Sequence, residues 1–234
     1  MTYNGHMRGT WALLLLYACG GNGFSNDRPP PDHGPLPDLP PPPPEMLGGA
    51  ACVLSDLRML GACTPNAAGG LTVAIGTASV TTNSDGSFTI EKPADATEWI
   101  VSGTGIVTSH IPFDPKDMTR RLPAVKDTDY NDLLLANGVV QQAGEGSLVV
   151  HAVTSTGSAV LGATAAVNGS GAQTFYDGSD ATVWDTDATG TNGIAWLPTS
   201  PTGPQTLLVT AQAGTKSFDV SIVEGAITFV TVKP

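Results

Sequence analysis

Short runs of apolar residues, separated by Gly, Pro, Asn or Asp, dominate residues 145–234. In several runs the apolar residues alternate with small or polar ones, which is the period of a half-buried β-strand. Many short strands with turn residues between them are typical of a β-sandwich. The pattern predicts one sandwich domain over 145–234, with strands at 147–153, 163–167, 193–197, 205–211, 217–223 and 226–232.

A similar pattern precedes it over residues 49–125. Leu71, Val73 and Ile75 alternate with small or polar residues, and so do Phe88 and Ile90. Asp85-Gly86 lies between these runs and predicts a hairpin, because a tight turn needs the positive φ that glycine adopts freely. Further strands are predicted at 99–103 and 105–109, so a second sandwich domain is expected here.

Between the two predicted domains, residues 126–144 carry the signal of a connecting helix. Asp129 can cap a helix from Tyr130 to Val140, with Leu133 and Leu134 on its apolar stripe, although Gly138 weakens the last turn. We expect this helix to cover an open end of a sandwich. The predicted fold class is therefore all-β, with two immunoglobulin-like sandwich domains in tandem.

Residues 19–48 are dominated by proline, above all in 29–31 and 40–44. Proline lacks the backbone donor and has a fixed φ, so this segment is expected to be a disordered, semi-rigid tether. Its alternative role is that of a ligand for a proline-recognising module.

Residues 1–18 combine Arg8, the apolar run from Trp11 to Leu16, and Ala18 directly before Cys19. This arrangement resembles the lipobox of bacterial lipoproteins. The resemblance implies cleavage after Ala18, a lipid such as diacylglycerol with palmitate on Cys19, and anchoring in the cell envelope. Gly20 after the cysteine favours the outer membrane, on either its periplasmic face or the cell surface. The alternatives are an ordinary secretory signal and a true start at Met7.

The apolar run itself is short. Even extended to Ala18, the eight residues from Trp11 span about 12 Å as a helix, against about 30 Å for the hydrocarbon core of a bilayer. The run is therefore not expected to be a membrane-spanning helix.

The chain is acidic and sparsely charged, with a net charge of −11 and 13% charged residues. Such a surface disfavours nucleic acid and anionic lipid headgroups as partners. With Cys19 lipidated, Cys52 and Cys63 remain as a pair in an oxidising compartment, which favours a disulfide. Closing this short loop would contribute about 2–3 kcal/mol. A zinc site is the alternative, but no histidine lies between the two cysteines.

A family resemblance rests on turn motifs. The segment 157–164 is similar to the G-x-P-V-x-G-A-x-V opening of carboxypeptidase regulatory-like domains, with Ala159 in place of the proline. Residues 189–195 resemble the T-x-x-x-G hairpin of that family, residues 201–204 its P-x-G turn, and residues 81–88 repeat the hairpin motif in the first domain. The resemblance implies transthyretin-like (prealbumin-like) sandwiches. Members of this family are mostly non-catalytic adhesive, scaffold or accessory modules.

One acidic cluster could bind calcium, since its carboxylates follow one another at loop spacing. Aspartates are also ordinary turn residues, and the progression of an EF-hand is absent, so surface turns are the alternative. The candidate calcium ligands are Asp177, Asp180, Asp185 and Asp187.

Trp184 and Tyr176, with Phe175 and Trp196 nearby, could stack against a carbohydrate, although core packing is the competing role for such residues. No hydrolase or phosphate-binding motif is found, and His151 lies inside an apolar strand. The sequence therefore predicts a non-enzymatic binding or structural module of the cell envelope whose partner is an envelope protein or a glycan. The alternative is a carbohydrate- or calcium-binding accessory module that uses the loop 175–192.

Overall fold

The computed structural model describes residues 43–64, 66–117, 120–178, 184–185 and 187–234. The predicted signal 1–18, the lipidation site Cys19 and the tether up to residue 42 lie outside these residues. The regular structure of the described chain is mostly β, as predicted, with one helix, α1 (Asp127–Ala136). Its strands are β1 (Met46–Leu54), β2 (Thr72–Ile75), β3 (Ala78–Thr81), β4 (Ser87–Glu91), β5 (Glu98–Gly103), β6 (Ile106–Pro112), β7 (Arg121–Lys126), β8 (Glu145–Ala152), β9 (Thr164–Val167), β10 (Phe175–Tyr176), β11 (Ile194–Pro201), β12 (Gly203–Ala211), β13 (Gly214–Ile222) and β14 (Ile227–Val232).

One set of strand pairings occurs twice along the chain. In the first half, β1 pairs antiparallel with β4 and parallel with β7. In the second half, β8 pairs antiparallel with β11 and parallel with β14. The other pairings also correspond, because β5 lies between β2 and β6 just as β12 lies between β9 and β13. We call β1–β7 the first half and β8–β14 the second half.

The halves are joined through β6 and β14, which pair in parallel at Ile227 with Ser109 and Thr228 with His110. This joint makes one continuous sheet of eleven strands, opposed by a separate sheet of three.

A buried threonine recurs at the equivalent place in each half. The Thr82 hydroxyl accepts the N–H of Leu71 and donates to the Ala68 carbonyl, both in the segment just before β2. In the second half the Thr189 hydroxyl likewise accepts the N–H of Ala163 and donates to the Val160 carbonyl. Four residues after each threonine a glycine has positive φ, at Gly86 and Gly193. These contacts give the T-x-x-x-G motif its physical basis: a threonine that closes a loop and a glycine that turns the chain.

Three apolar clusters make up the core. One fills the first half around Val73, Ile75 and Trp99, and another fills the second half around Leu148, Leu197 and Leu207. The third lies between the halves and contains Leu54 and Leu57 of the first half, Tyr130 and Leu134 of α1, and Trp196 of the second half, among others. The sheet β10-β11-β8-β14 is therefore covered by apolar residues on both faces.

Two predicted local structures differ from the observed ones. At Asp85-Gly86 the turn forms, with φ of 84° at Gly86, but β3 pairs with β2 whereas β4 pairs with β1. The two strands that flank the turn do not pair with each other, so the predicted hairpin was wrong. The hairpin of this region closes instead between β2 and β3, where Gly76 has positive φ.

The predicted helix was displaced by several residues. It begins at Asp127, after Lys126 as N-cap with no side-chain capping bond, so Asp129 is not the cap. It ends at Ala136, with Asn137 as C-cap and Gly138 at positive φ, before the predicted end at Val140. Tyr130 and Leu134 are its buried residues.

Three strands were missed in the sequence. β1 begins at Met46, inside the segment predicted as tether, and its first residues are mostly glycine and alanine. β7 contains a proline and too few alternating apolar residues to show a strand period, and β10 has only two residues. β1 and β7 pair with each other although they are distant in sequence, and β10 is too short to show a period. Among the described residues, no helix has the length and apolar character that a membrane crossing requires.

Candidate functional site

The two halves depart from their common plan at two places. The connection between β1 and β2 in the first half carries the disulfide loop, residues 52–63, whose counterpart between β8 and β9 is shorter. The connection between β9 and β11 in the second half is longer than its counterpart and contains β10, Trp184 and Asp185. These two departures contact each other, because the Arg58 guanidinium lies over the Trp184 ring, 5.5 Å from its centroid.

The disulfide loop is held closed by the predicted bond between Cys52 and Cys63, with a Cα–Cα distance of 5.0 Å. Cys52 is buried in the third core, whereas Cys63 is exposed. The loop also places Leu54 and Leu57 in that core. The covalent closure and the apolar anchors together position the rest of the loop above the second half.

Arg58 is fixed by Asp56 within the same loop. The Asp56 carboxylate accepts from Nε at 2.9 Å and from Nη2 at 2.7 Å. Burial alone would raise the pKa of Asp56, but the hydrogen bonds and charge of Arg58 outweigh it and hold the pKa below its ordinary value. The third guanidinium nitrogen, Nη1, is buried and has no hydrogen-bond partner among the described residues. Asp56 thus neutralises Arg58 while leaving one donor unused.

Trp184 lies between the two halves rather than on an open platform. Its ring packs against Trp196 at a centroid distance of 5.3 Å, and Arg58 lies over it. Trp196 is fully buried, contacts Phe175 and Tyr130, and donates its indole N–H to the Ser147 hydroxyl at 2.9 Å. Phe175 and Trp196 are therefore core residues, and Trp184 joins them to the disulfide loop.

Tyr176, the other predicted stacking residue, is 4% exposed. Its hydroxyl accepts the N–H of Ala165 at 3.1 Å, and its ring packs in the core of the second half. A side chain in this position has no face free for a sugar ring, so the structure gives the stacking prediction no support at Tyr176.

Asp177 organises the turn 190–194. Its buried carboxylate accepts the backbone N–H groups of Gly190 at 2.7 Å, Ile194 at 3.0 Å and also Asn192. Gly190 lies so close to Gly178 that an added Cβ would stand 1.6 Å from the Gly178 carbonyl oxygen. Three amide donors on one carboxylate make Asp177 the structural centre of this turn.

The predicted calcium ligands are only partly brought together. Asp180 lies outside the described residues, and Asp187 donates its backbone N–H to the Asp185 carboxylate at 3.1 Å. Within the described part of the chain, no three histidine, cysteine or acidic side chains form a group that could hold a metal ion. Calcium binding stays a prediction.

His151 lies beside the turn, on the face of β8 that points to the third core, opposite Ile194 of β11. It is half-buried. Burial lowers the pKa of His151 below its ordinary value of 6.5, and the negative charge of Asp177 only partly opposes this. The imidazole is therefore neutral at pH 7 and can both donate and accept a hydrogen bond.

A groove of about 470 Å³ opens between the disulfide loop and the turn 190–194. Arg58, Met59 and Leu60 line one side, His151 and Ile194 the base, and Thr191 and Asn192 the other side. Its size is in the range of small-molecule sites, about 300–1,000 Å³. This groove was missed in the sequence because Arg58 and His151 are 93 residues apart, and only the fold brings them together.

A second cavity of about 310 Å³ lies at the joint of β6 and β14. His110 Nδ1 is 3.1 Å from a Glu98 carboxylate oxygen there, and Ser221 and Thr228 complete the lining. Most of its lining comes from side chains of paired strands, and we regard the larger groove as the candidate functional site.

No family model matches the sequence, and no curated protein matches it. Two solved structures are similar to the chain at low TM-scores. The Bacillus anthracis TIE protein has 16% identity and a TM-score of 0.26 over 80% of this chain and 33% of that one. A streptococcal ancillary pilin has 10% identity and a TM-score of 0.20 over 81% of this chain and 62% of that one. The chain therefore spans about a third of the first protein and less than two thirds of the second.

Proposed function

We propose that this protein is a non-enzymatic binding or structural module of the bacterial cell envelope. In this proposal a lipid on Cys19 anchors the chain in the membrane, and the proline-rich segment is the spacer. The folded part consists of two transthyretin-like sandwich domains in tandem. Support for the tandem comes from the repeated strand pairings and from the two equivalent threonines, Thr82 and Thr189.

The observation that carries the proposal is the third apolar core. Large side chains from both halves, among them Leu54, Tyr130 and Trp196, are buried together there, and β6 pairs with β14 beside them. Contacts of this kind join two sandwiches into one body that presents a preformed groove. A rigid body with an open groove suits a protein that holds a partner.

The acid and base side chains around the groove support a binding role over a catalytic one. Asp177 is occupied by three backbone amides, and Asp56 is occupied by Arg58. His151 is neutral and lies in a strand paired on both sides. General acid–base catalysis requires groups that are free to exchange protons with a substrate, and these carboxylates already serve the fold.

Lipidation is tested by metabolic labelling with radioactive palmitate in a bacterial host. The wild-type chain is expected to be labelled and to fractionate with membranes, whereas Cys19→Ala is expected to be unlabelled. Cys63→Ala is the matched control. It removes a cysteine of the disulfide loop but leaves Cys19 in place, so it should keep the label. Equal labelling of wild type and Cys19→Ala, or no label in either, would contradict the anchor.

The exposed face is tested by protease treatment of intact cells that carry the protein with a C-terminal tag. Loss of the tag from intact cells indicates a surface module, whereas loss only after permeabilisation of the outer membrane indicates a periplasmic one. A tag that stays protected when the outer membrane is permeabilised, and is lost only when the cytoplasm is released, would contradict an envelope function.

A further inference from the structure

We infer that the groove between the disulfide loop and the turn 190–194 binds an uncharged saccharide. This rests on the proposed binding function and names the ligand class of that same site. The groove is bordered by Arg58, Met59 and Leu60 on one side and by Thr191 and Asn192 on the other, with His151 and Ile194 at its base.

The position of the groove is the first argument. The two halves share their strand pairings, the buried threonine and the glycine turn, and these contacts serve the stability of each half. The disulfide loop and the long β9–β11 connection are additions to that common plan, and they meet at Arg58 and Trp184. Binding residues are found disproportionately on loops that a rigid scaffold positions.

The charges around the groove favour an uncharged ligand over a charged one. Arg58 contributes a positive charge that Asp56 cancels at 2.7 Å. His151 is uncharged at neutral pH, and Thr191 and Asn192 carry no charge. An anion would also approach a protein whose net charge is −11. A cation would find no unpaired carboxylate among the residues that line the groove.

The hydrogen-bonding groups suit hydroxyl groups in particular. The imidazole of His151 and the carboxamide of Asn192 each combine a donor and an acceptor. Adjacent hydroxyls of a sugar ring can each donate and accept, so they match planar groups of this kind. Met59 and Leu60 provide apolar surface for the C–H face of the ring.

A peptide is the competing occupant, and the strand pairing argues against it. An extended peptide binds best by adding a strand to a free sheet edge. Beneath the groove, β8 is paired with both β11 and β14, and β11 is paired with both β10 and β8. The groove therefore has no free strand edge at its base, whereas a saccharide needs only side-chain partners.

The test is isothermal titration calorimetry with the full chain in a sugar-free zwitterionic detergent. The probes are maltotetraose, cellotetraose and chitotetraose as neutral saccharides, a tetragalacturonate as an acidic one, and a neutral tetrapeptide. At least one neutral saccharide is expected to bind with a millimolar or lower Kd and in preference to the acidic saccharide and the peptide.

Two groove variants and two matched controls locate the site. His151→Ala and Asn192→Ala are each expected to weaken saccharide binding by about threefold to tenfold, the loss of one hydrogen bond. His110→Ala and Asn168→Ala change the same residue types outside the groove and are expected to stay within twofold of wild type. Circular dichroism before each titration confirms that the variants are folded.

Three results would overturn the inference: no neutral saccharide binding at millimolar concentration, preference for the acidic saccharide or the peptide, or binding that both groove variants leave unchanged. Each of these leaves palmitate labelling and protease accessibility unaffected, so a failed ligand class is distinguishable from a failed envelope function.

Discussion

At the scale of single residues, three buried polar side chains close loops. Thr82 and Thr189 do so at equivalent places, with equivalent donor and acceptor partners in the two halves. Asp177 does so in the second half alone, where the turn 190–194 borders the groove. Buried polar groups of this kind are costly to disturb because their partners lose access to water as well.

Thr82→Val and Thr189→Val are each expected to lower the free energy of unfolding by about 1–3 kcal/mol, since each leaves a buried N–H and a buried carbonyl unpaired. Urea denaturation of the full chain measures this. Serine at the same positions keeps the hydroxyl and should recover much of the loss. If valine is as stable as threonine at both sites, these hydrogen bonds do not support the fold.

Asp177→Asn is expected to destabilise the protein by about 2–4 kcal/mol, because an amide oxygen is a weaker acceptor and its NH₂ faces other donors. Asp187→Asn is the matched control, because Asp187 is exposed, and should change stability little.

The same variant tests the predicted calcium site. Stabilisation by millimolar calcium that Asp187→Asn abolishes would support the predicted metal site.

His151 predicts a dependence of stability on pH. Its pKa is lowered in the folded protein, so the unfolded chain binds the proton more readily. The free energy of unfolding should fall as pH drops from 6.5 towards the folded pKa and stay constant with respect to this group below it. His151→Gln should flatten that part of the profile in urea titrations, whereas an unchanged slope would assign the dependence to other groups.

At the scale of elements, the disulfide loop has two functions. It inserts Leu54 and Leu57 into the third core, and it forms the wall of the groove that carries Arg58. A closed loop of eleven residues is short, so its stabilisation is modest compared with that of a long loop.

The double variant Cys52→Ser with Cys63→Ser is expected to lower the free energy of unfolding by about 2–3 kcal/mol. The Cys52 position is buried, so Cys52→Ala with Cys63→Ala separates the loss of the bond from the burial of a hydroxyl. The loop should also become accessible to proteases near Met59, which is 41% exposed in the folded protein. Unchanged stability and unchanged proteolysis would mean that the apolar anchors alone hold the loop.

Most strands were predicted from the sequence, but their pairing was not. Strands such as β8, β12 and β14 were predicted within a few residues because alternation and glycine turns are local signals. The Asp85-Gly86 turn was correctly located, but local signals do not state whether the two strands that flank a turn pair with each other. β1 was missed because its glycines and alanines acquire strand structure only by pairing with β4 and β7.

At the scale of the whole molecule, the two halves share a sheet and a core. The third core buries Trp196 fully, and the joint of β6 with β14 continues the sheet across the boundary. Two sandwiches connected only by a linker would unfold independently, whereas halves with a common core should not.

Calorimetry of the full chain is therefore expected to show one unfolding transition for the folded part. Trp196→Ala should destabilise it by about 3–5 kcal/mol and, by weakening the common core, separate the transition into two. Trp99→Ala is the matched control, since Trp99 is buried in the first half alone. Two transitions in the wild-type protein would contradict the coupling.

By itself, the sequence determined the β class of this protein, most of its strand positions, the pairing of Cys52 with Cys63 and the glycine turns. These depend on the period of apolar residues, on backbone conformations that glycine permits, and on the number of available cysteines. The tertiary structure decided which strands pair, which faces are buried and where the groove lies. Contacts between distant segments determine where the side chains of Trp184, Trp196, Arg58 and His151 lie. Burial of apolar surface across the whole chain selects such contacts.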